Sequence, residues 1–583
     1  MSKKHNPVKV AFQSLRKGFT AVALFSLALN ILMLAGPLYM LQVYDRVLTS
    51  QSMETLIALS ILLFGVFVVS GLLDYVRVKI LNRLGSRFEV LAGNHILAAA
   101  MKRKISGKGK SGDNLLNDIT SYRDFVSGHT LLAFFDTPWV PIYLGILFIL
   151  HPYIGLLGLA GAMILTILAL MNSSMSRDPM QETAEARQSS DALFESCERN
   201  AELVTSMGMR SDLARRWSLL NWRTSSHKTK ATDGLSFFFV VSKTFRMALQ
   251  SGMLGLGAAL AIAGESSAGV MIAATIILGR ALAPIDQAIS QWRLFIGAVA
   301  SYKKLKGLVE EFPEDEERIQ LPKARSNMDV AIKQAGPPQA QRATLTGINF
   351  DLDAGDVVAV IGPSGSGKST LARMLTGIWF PQRGEVNLDG SPTSKWNAAE
   401  LGAQIGYLPQ DVELFEGTIR ENISRFAADA TDEAILKAAQ DADVHDMILN
   451  LPDGYETVIG TRGTFLSGGQ RQRIGLARAL YGDPFIIVLD EPNSNLDATG
   501  DTALMHAVMR AQARGAIVVV MTHRPSTLQA VNKVLVLDSG QMKAFGPKEQ
   551  VLRSTTRAIV NNSVPRVTSA NNQPEQAGKV ASK

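Results

Sequence analysis

The chain has 583 residues, of which 47% are hydrophobic and 19% charged, and 59 Lys and Arg against 52 Asp and Glu leave a formal net charge of +7. That length allows more than one domain, and the apolar excess before residue 300 points to a membrane-embedded half rather than a wholly water-soluble enzyme. The basic surplus flanks apolar runs and no nucleic-acid module is recognisable, which argues against nucleic-acid binding; the single cysteine, Cys197, excludes an intrachain disulfide.

Residues 1–19 form a basic leader carrying Lys3, Lys4, Lys9, Arg16 and Lys17, in which 8–17 reads either as a short amphipathic surface piece or as a basic juxtamembrane tail. Crossing roughly 30 Å of hydrocarbon takes about 20 helical residues. Six stretches meet this: 20–44, 54–76, 130–150, 153–173, 236–263 and 268–290. The first is too long for a signal peptide, lacks a small-x-small cleavage site, and reads as a retained span.

Orientation follows from Lys and Arg. The leader, the segment after span two (Arg77 to Arg123) and the segment after span four (Arg177 to Lys230) are rich in both and are expected in the cytoplasm. The short connections near 45–54, 151–152 and 265–268 are nearly free of them and face outward. An even number of spans returns the chain to the cytoplasm. The two long cytoplasmic segments exceed 50 residues each and keep helical apolar spacing, as at Leu193, Val204, Met207 and Leu213, so they are expected to extend the spans. Cys197 lies on this reducing side and is read as an inert small apolar residue.

Charge inside a span demands a reason, and the last two spans contain Lys243, Arg246, Arg280 and Asp286. Lys243 and Arg246 are near a cytoplasmic end and can snorkel. Arg280 lies midway along its span with Gln287 on roughly the same helix face. Two readings stay open: this face lines a transport path, or an interhelical ion pair serves structure alone. After it, 310–343 reads as an acidic then Pro-containing linker and the start of the next domain, and 557–583, rich in Asn, Gln, Ser and Pro, as a disordered tail.

From 344 to 556 the pattern becomes that of an α/β domain. A strand-like run, 356–361, leads into Gly362-Pro363-Ser364-Gly365-Ser366-Gly367-Lys368-Ser369-Thr370, which fits G-x-x-x-x-G-K-[ST]. Glycines let the backbone curl so that its N–H groups form an anion nest, Lys368 adds a point charge, and Ser369 offers a hydroxyl to Mg²⁺. This predicts a nucleotide site. The apolar run before Asp490 predicts a buried parallel strand whose carboxyl end carries ligand chemistry. Asp490 is therefore expected to hold Mg²⁺ through water, and Glu491 to act as general base on the attacking water. His523 follows a second buried run, 516–521, where an imidazole could donate to a γ-phosphate; a solvated turn histidine is the plain alternative. Ser467, Gly468 and Gly469 open a helical run from Gln470 to Tyr481, so their amides and the positive helix end suit a phosphate.

Leu466-Ser467-Gly468-Gly469-Gln470 resembles the signature of ATP-binding-cassette (ABC) proteins, and the other stations of that family occur in order. Gln410 in Leu408-Pro409-Gln410 looks like the Q-loop, 485–491 like Walker B with its catalytic carboxylate, Ser494-Asn495-Leu496-Asp497 like the D-loop, and His523 like the switch histidine. The resemblance implies an α-helical six-span transmembrane domain, type I ABC exporter-like, within 20–309, followed by an α/β P-loop ATP-binding cassette. It implies ATP and Mg²⁺ as cofactors, with Ser369, Gln410 and Asp490 at the metal, and a signature that engages ATP on a partner cassette. With one cassette per chain, a homodimer is the simplest assembly. It also implies coupling helices at the ends of the cytoplasmic extensions, with 206–217 the candidate and a plain turn the alternative.

Within that family, 38–47, 135–141, Met207-Gly208-Met209 and 490–497 resemble the PrtD-like permease/ATPases of type I secretion, over nearly the whole chain apart from its tail. This implies ATP-driven export of an unfolded protein bearing a C-terminal secretion signal. It further implies a bacterial inner-membrane location among lipid with the cassette in the cytoplasm, a periplasmic membrane-fusion adaptor and a TolC-like outer-membrane channel. Export of lipid, drug or another small amphiphile, and a nontransporting membrane ATPase, are the alternatives. Two departures stand out: 334–339 offers no aromatic residue to stack adenine, and Thr461 stands where many exporters have Glu.

Overall fold

A computed structural model describes residues 7–109, 114–313, 321–460, 466–522 and 524–553. It divides into two compact units, residues 1–104 with 108–314, and residues 105–107 with 315–583. Lys3, Lys4, residues 314–317 of the acidic run, Thr461 and the tail 557–583 lie outside the described residues.

The first unit is helical, and six of its helices are long and apolar enough to cross a membrane: Arg16–Ser50, Met53–Ile105, Thr130–Leu150, Pro152–Met175, Arg210–Ile262 and Ala268–Ser290. Each overlaps one expected stretch. Their flanks expose Ile57, Ile61, Leu62, Phe64 and Leu72, as suits contact with hydrocarbon. Where the apolar run ends the helix does not: Met53–Ile105, Pro152–Arg199 and Arg210–Ile262 have 53, 48 and 53 residues and carry the spans onward as the sequence suggests. Pro152 sits where a missing N–H costs least, at the first turn, and His151 caps that helix through Nδ1.

The stretch 206–217 is not a helix of its own. A short helix, Ala201–Ser206, precedes it, a turn at Met207, Gly208 and Met209 follows, and the remainder forms the first turns of Arg210–Ile262. Gly208, at φ +65°, takes the left-handed conformation that stops the short helix. The leader's stretch 8–17 begins as a helix. Helix Pro7–Ser14 sends Val8 into a core with Leu15, Val22, Leu81, Phe88 and Leu305, so this segment packs on protein.

The first span is broken at its far end by a π-helical turn, Val43–Val47. Asp45 in that turn accepts hydrogen bonds from Ser267 Oγ (2.6 Å) and Gly269 N (3.0 Å), at the start of the last span. Arg246 and Asp286 form a 2.9 Å ion pair between the helices of the last two spans.

The second unit is built on a ten-stranded sheet. Its centre is parallel, with Val357–Ile361 between Ile517–Met521 and Lys533–Asp538, and with Ile486–Asp490 and Ile405–Leu408 continuing the sheet beyond Ile517–Met521. These strands are runs of Val, Ile and Leu because helices cover both faces. Register aligns Met521 with Asp490, so the ends that carry ligand chemistry are level. Asn327–Ala335 pairs antiparallel with both Leu345–Asp353 and Arg383–Leu388.

Candidate functional site

The phosphate loop runs from the strand Val357–Ile361 to the helix Lys368–Leu375, and its glycines are there for space. A Cβ on Gly362 would stand 2.1 Å from the Leu537 carbonyl oxygen, and Gly367 turns at φ +100° against Leu345. Lys368 Nζ donates to the carbonyls of Gly362 (2.9 Å) and Pro363 (3.0 Å), holding its charge under the loop. Burial pushes this ammonium below the usual lysine range, against the pull of Glu491 and Asp490. Ser364, Gly365, Ser366 and Thr370 complete the loop; Ser366 and Thr370 are buried.

Asp490 is 2% exposed. Burial raises its carboxyl above the ordinary range, while a hydrogen bond from Ser369 opposes this. Its Oδ1 finds no hydrogen-bond partner among the described residues. A buried carboxylate oxygen without a donor, beside a serine hydroxyl at the foot of a phosphate loop, suits a hard cation. No cluster of three His, Cys, Asp or Glu that could hold a metal occurs among the described residues, so Mg²⁺ would rely on few protein oxygens and on nucleotide phosphates.

Glu491 follows the strand directly and adopts φ +51°, a conformation that non-glycine residues rarely take. Its amide bonds to the Met521 carbonyl (3.0 Å), and Gln410 Nε2 donates to its Oε2 across 3.0 Å. Gln410 and Glu491 are thus brought together, with Lys368 close enough to sense the carboxylate. His523 lies outside the described residues. Its neighbours do not: Arg524 Nη1 pairs with Asp501 (3.1 Å), and Asp501 accepts from Asn493 (2.9 Å).

Ser467 caps the helix Gly468–Leu480, which starts two residues before Gln470. Ser467 Oγ accepts from Gln470 N (3.2 Å) and Gln470 Oε1 from Ser467 N (2.8 Å), a reciprocal capping box. Among the described residues no hydrogen bond joins Ser467, Gly468, Gly469 or Gln470 to the loop 362–370. The signature helix binds the 491–497 segment instead.

Gln472, which sequence reasoning missed, makes that link. It is 2% exposed; its Nε2 donates to the carbonyls of Glu491 (3.3 Å) and Pro492 (2.5 Å), and its Oε1 accepts from Asn495 N (3.0 Å). Arg473 Nη2 adds a bond to Asp497 Oδ1 (3.2 Å), the cap of the following helix. A polar residue in the apolar register of an amphipathic helix was the available signal.

The first unit holds a second polar assembly. Arg77, read from sequence as part of a basic flank, is buried: it donates to Ser26 Oγ (2.8 Å), Asp74 (2.8 Å) and Asp136 (3.1 Å). Asn30 also donates to Asp136 (3.0 Å) and accepts from Tyr143 (2.9 Å). Asn30, Asp74, Arg77, Asp136 and Tyr143 line a cavity of about 180 Å³ together with Arg280 and Gln287, which do share a face; the ion pair on that helix belongs to Asp286.

Comparison with known proteins bears on both units. The ABC transporter family matches residues 345–494, and the ABC transporter transmembrane region matches 19–282. The type I secretion system ATP-binding protein PrsD of Rhizobium meliloti (strain 1021) is 46% identical over 94% of this chain and 94% of its own length. The leukotoxin translocation ATP-binding protein LktB of Mannheimia glucosida is 28% identical over 93% of this chain and 77% of its own length. The solved structure of a bacterial Atm1-family ABC exporter with ATP bound has a TM-score of 0.80, covering 95% of this chain and 99% of that one at 23% identity, a likeness of fold.

Proposed function

Because this chain belongs to the type I secretion ATP-binding proteins of the ABC transporter family, we propose that it uses ATP to export unfolded protein from the bacterial cytoplasm. It is a multi-pass membrane protein with a cytoplasmic ATPase. In this reading 20–309 is the membrane domain, 344–556 the cassette, and 310–343 the connection between them. Two copies work together in the inner membrane, with a periplasmic adaptor and an outer-membrane channel completing the route for a protein bearing a C-terminal signal.

The chemistry follows from the cassette's own groups. Loop amides and Lys368 bind the triphosphate. Ser369, Asp490 and Gln410 would hold Mg²⁺, which when bound neutralises charge on the phosphates. Glu491 accepts a hydrogen bond from the water aligned with the γ-phosphate, and Gln410 holds that carboxylate in place. His523 is assigned the γ-phosphate contact on sequence grounds. The signature residues Ser467, Gly468, Gly469 and Gln470 have no bond to their own phosphate loop, which fits a site completed by a second copy. Closure of two such cassettes on ATP then moves the spans, and phosphate loss releases them.

The observation that carries the cargo assignment is identity with a secretion relative over nearly the full length, membrane half included. Cargo recovered with a Glu491→Gln dimer tests it. A polypeptide trapped with the protein supports secretion. Stimulation by lipid or drug with no polypeptide bound would favour a small-amphiphile exporter, and vigorous turnover with no species moved in sealed vesicles a nontransporting ATPase.

A further inference from the structure

Midway through the last two spans, helices Arg210–Ile262 and Ala268–Ser290 border an open recess of about 360 Å³ lined by Gln250, Thr275, Ile276, Gly279, Arg280 and Ala283. Gln250 lies twelve residues before the end of its helix and Arg280 twelve after the start of the next, so each sits about 18 Å from that end of its span at ~1.5 Å per residue. Neither side chain makes a hydrogen bond or ion pair with a described residue. Unpaired polar groups at that depth are costly, and their persistence calls for a ligand or water to meet them.

The arrangement selects among ligands. Asp136, which lines the neighbouring cavity with Arg280, is already engaged by Arg77 and Asn30. Gln250 carries a donor pair and an acceptor on one planar amide, the complement of a peptide unit. Gly279 keeps it accessible: a Cβ there would stand 3.0 Å from Gln250 Nε2. Thr275, Gly279 and Ala283 give the recess a wall of small residues, and the Thr275 hydroxyl is turned to the Met271 carbonyl (3.0 Å).

We propose that the Gln250 amide and the Arg280 guanidinium form a clamp for the main chain of an extended polypeptide, reading peptide groups rather than side chains. This deepens the export reading and rests on it. Gln250 pairs with one peptide N–H and C=O, and Arg280 donates to a neighbouring carbonyl. Recognition of that kind accepts any unfolded sequence while excluding a folded one, whose peptide groups are already bonded.

The test uses the full-length protein in lipid nanodiscs and two fluorescent probes of equal length, a Gly-Ser repeat peptide and its N-methylated counterpart, which lacks backbone donors. The wild type should bind the first at least tenfold more tightly, and both Gln250→Leu and Gly279→Ala should reduce that ratio to near one. Gly279→Ala is a second probe of the same amide should Gln250→Leu fail to fold. Equal affinity of the wild type for the two peptides, or discrimination that survives both substitutions, overturns the clamp. Transport of a denatured polypeptide into sealed inside-out vesicles, measured alongside, reads export itself. Transport beside equal affinity removes the clamp alone; no transport beside equal affinity removes both.

Discussion

Gln410 Nε2 and Glu491 Oε2 are joined by a 3.0 Å hydrogen bond, tying the end of one parallel strand to the group that follows another. The bond orients a carboxylate that the backbone already constrains through its left-handed φ. Glu491→Gln is expected to bind ATP within a few-fold of wild type while turnover falls about 10²–10⁴-fold, the usual range for loss of a general base. Gln410→Ala should lower turnover less. Near-normal hydrolysis in Glu491→Gln, measured by phosphate release, would refute the choice of base.

Lys368 offers a pH signature. Its folded pKa is lowered by burial, so the charge that attracts triphosphate is lost at a pH below the ordinary lysine range of about 10.4. Nucleotide affinity is therefore full at neutral pH and weakens as pH rises through that lowered value. Lys368→Ala should bind ATP weakly at every pH and show no such fall. Titration of affinity from pH 7 to 10 in both proteins checks the sign.

Gln472 separates positioning from binding. Gln472→Leu strands the Pro492 carbonyl and the Asn495 N–H in a buried place, at about 1–3 kcal/mol for an unsatisfied group. Because those groups flank Glu491 rather than the phosphate loop, kcat should fall several-fold while KM for ATP stays within about two-fold. A change confined to KM would count against this role.

Arg77 and Asp136 invite a double-mutant cycle. Without Asp136, Arg77 keeps only Asp74 and Ser26, and without Arg77, Asp136 keeps only the Asn30 amide, so losing either partner of this part-buried pair costs about 1–3 kcal/mol. Arg77→Leu or Asp136→Leu should each lower thermal stability in detergent sharply, and the double variant should be more stable than either. Additive losses would mean that the pair is not coupled.

Arg280→Leu addresses the transport path. If the face shared with Gln287 meets cargo, export falls in a protein that still folds and hydrolyses ATP. Unchanged export in a folded variant would remove the assignment.

What the sequence disclosed was whatever local order encodes. The phosphate loop, the run into Asp490 and the signature are short contiguous phrases whose geometry is set within a few residues, and the spans are set by hydropathy alone. The burial of Arg77 was not legible because its partner Asp136 is 59 residues away and its neighbours are the basic residues of an ordinary cytoplasmic flank. Gln472 was passed over because its three partners come from a segment 19 to 23 residues later, joined only by folding. Between a coupling helix over 206–217 and a plain turn, the two readings the sequence left open, the structure has a turn at 207–209, because a left-handed Gly208 overrides the apolar spacing through Met207 and Met209. The leader's burial of Val8 depends on Leu305 at the far end of the same unit, which no local pattern encodes.

The carboxylate of Asp45 fastens the turn that ends the first span to the start of the last, beside the packing of Ala35–Gln42 on Ala268–Ser290, at one side of the membrane unit. Tilting either helix there must drag its companion or tear a charged acceptor from two donors, at about 1.5–3 kcal/mol per bond. Movement on that side is accordingly stepwise: the two helices travel in tandem, or they part in one abrupt event.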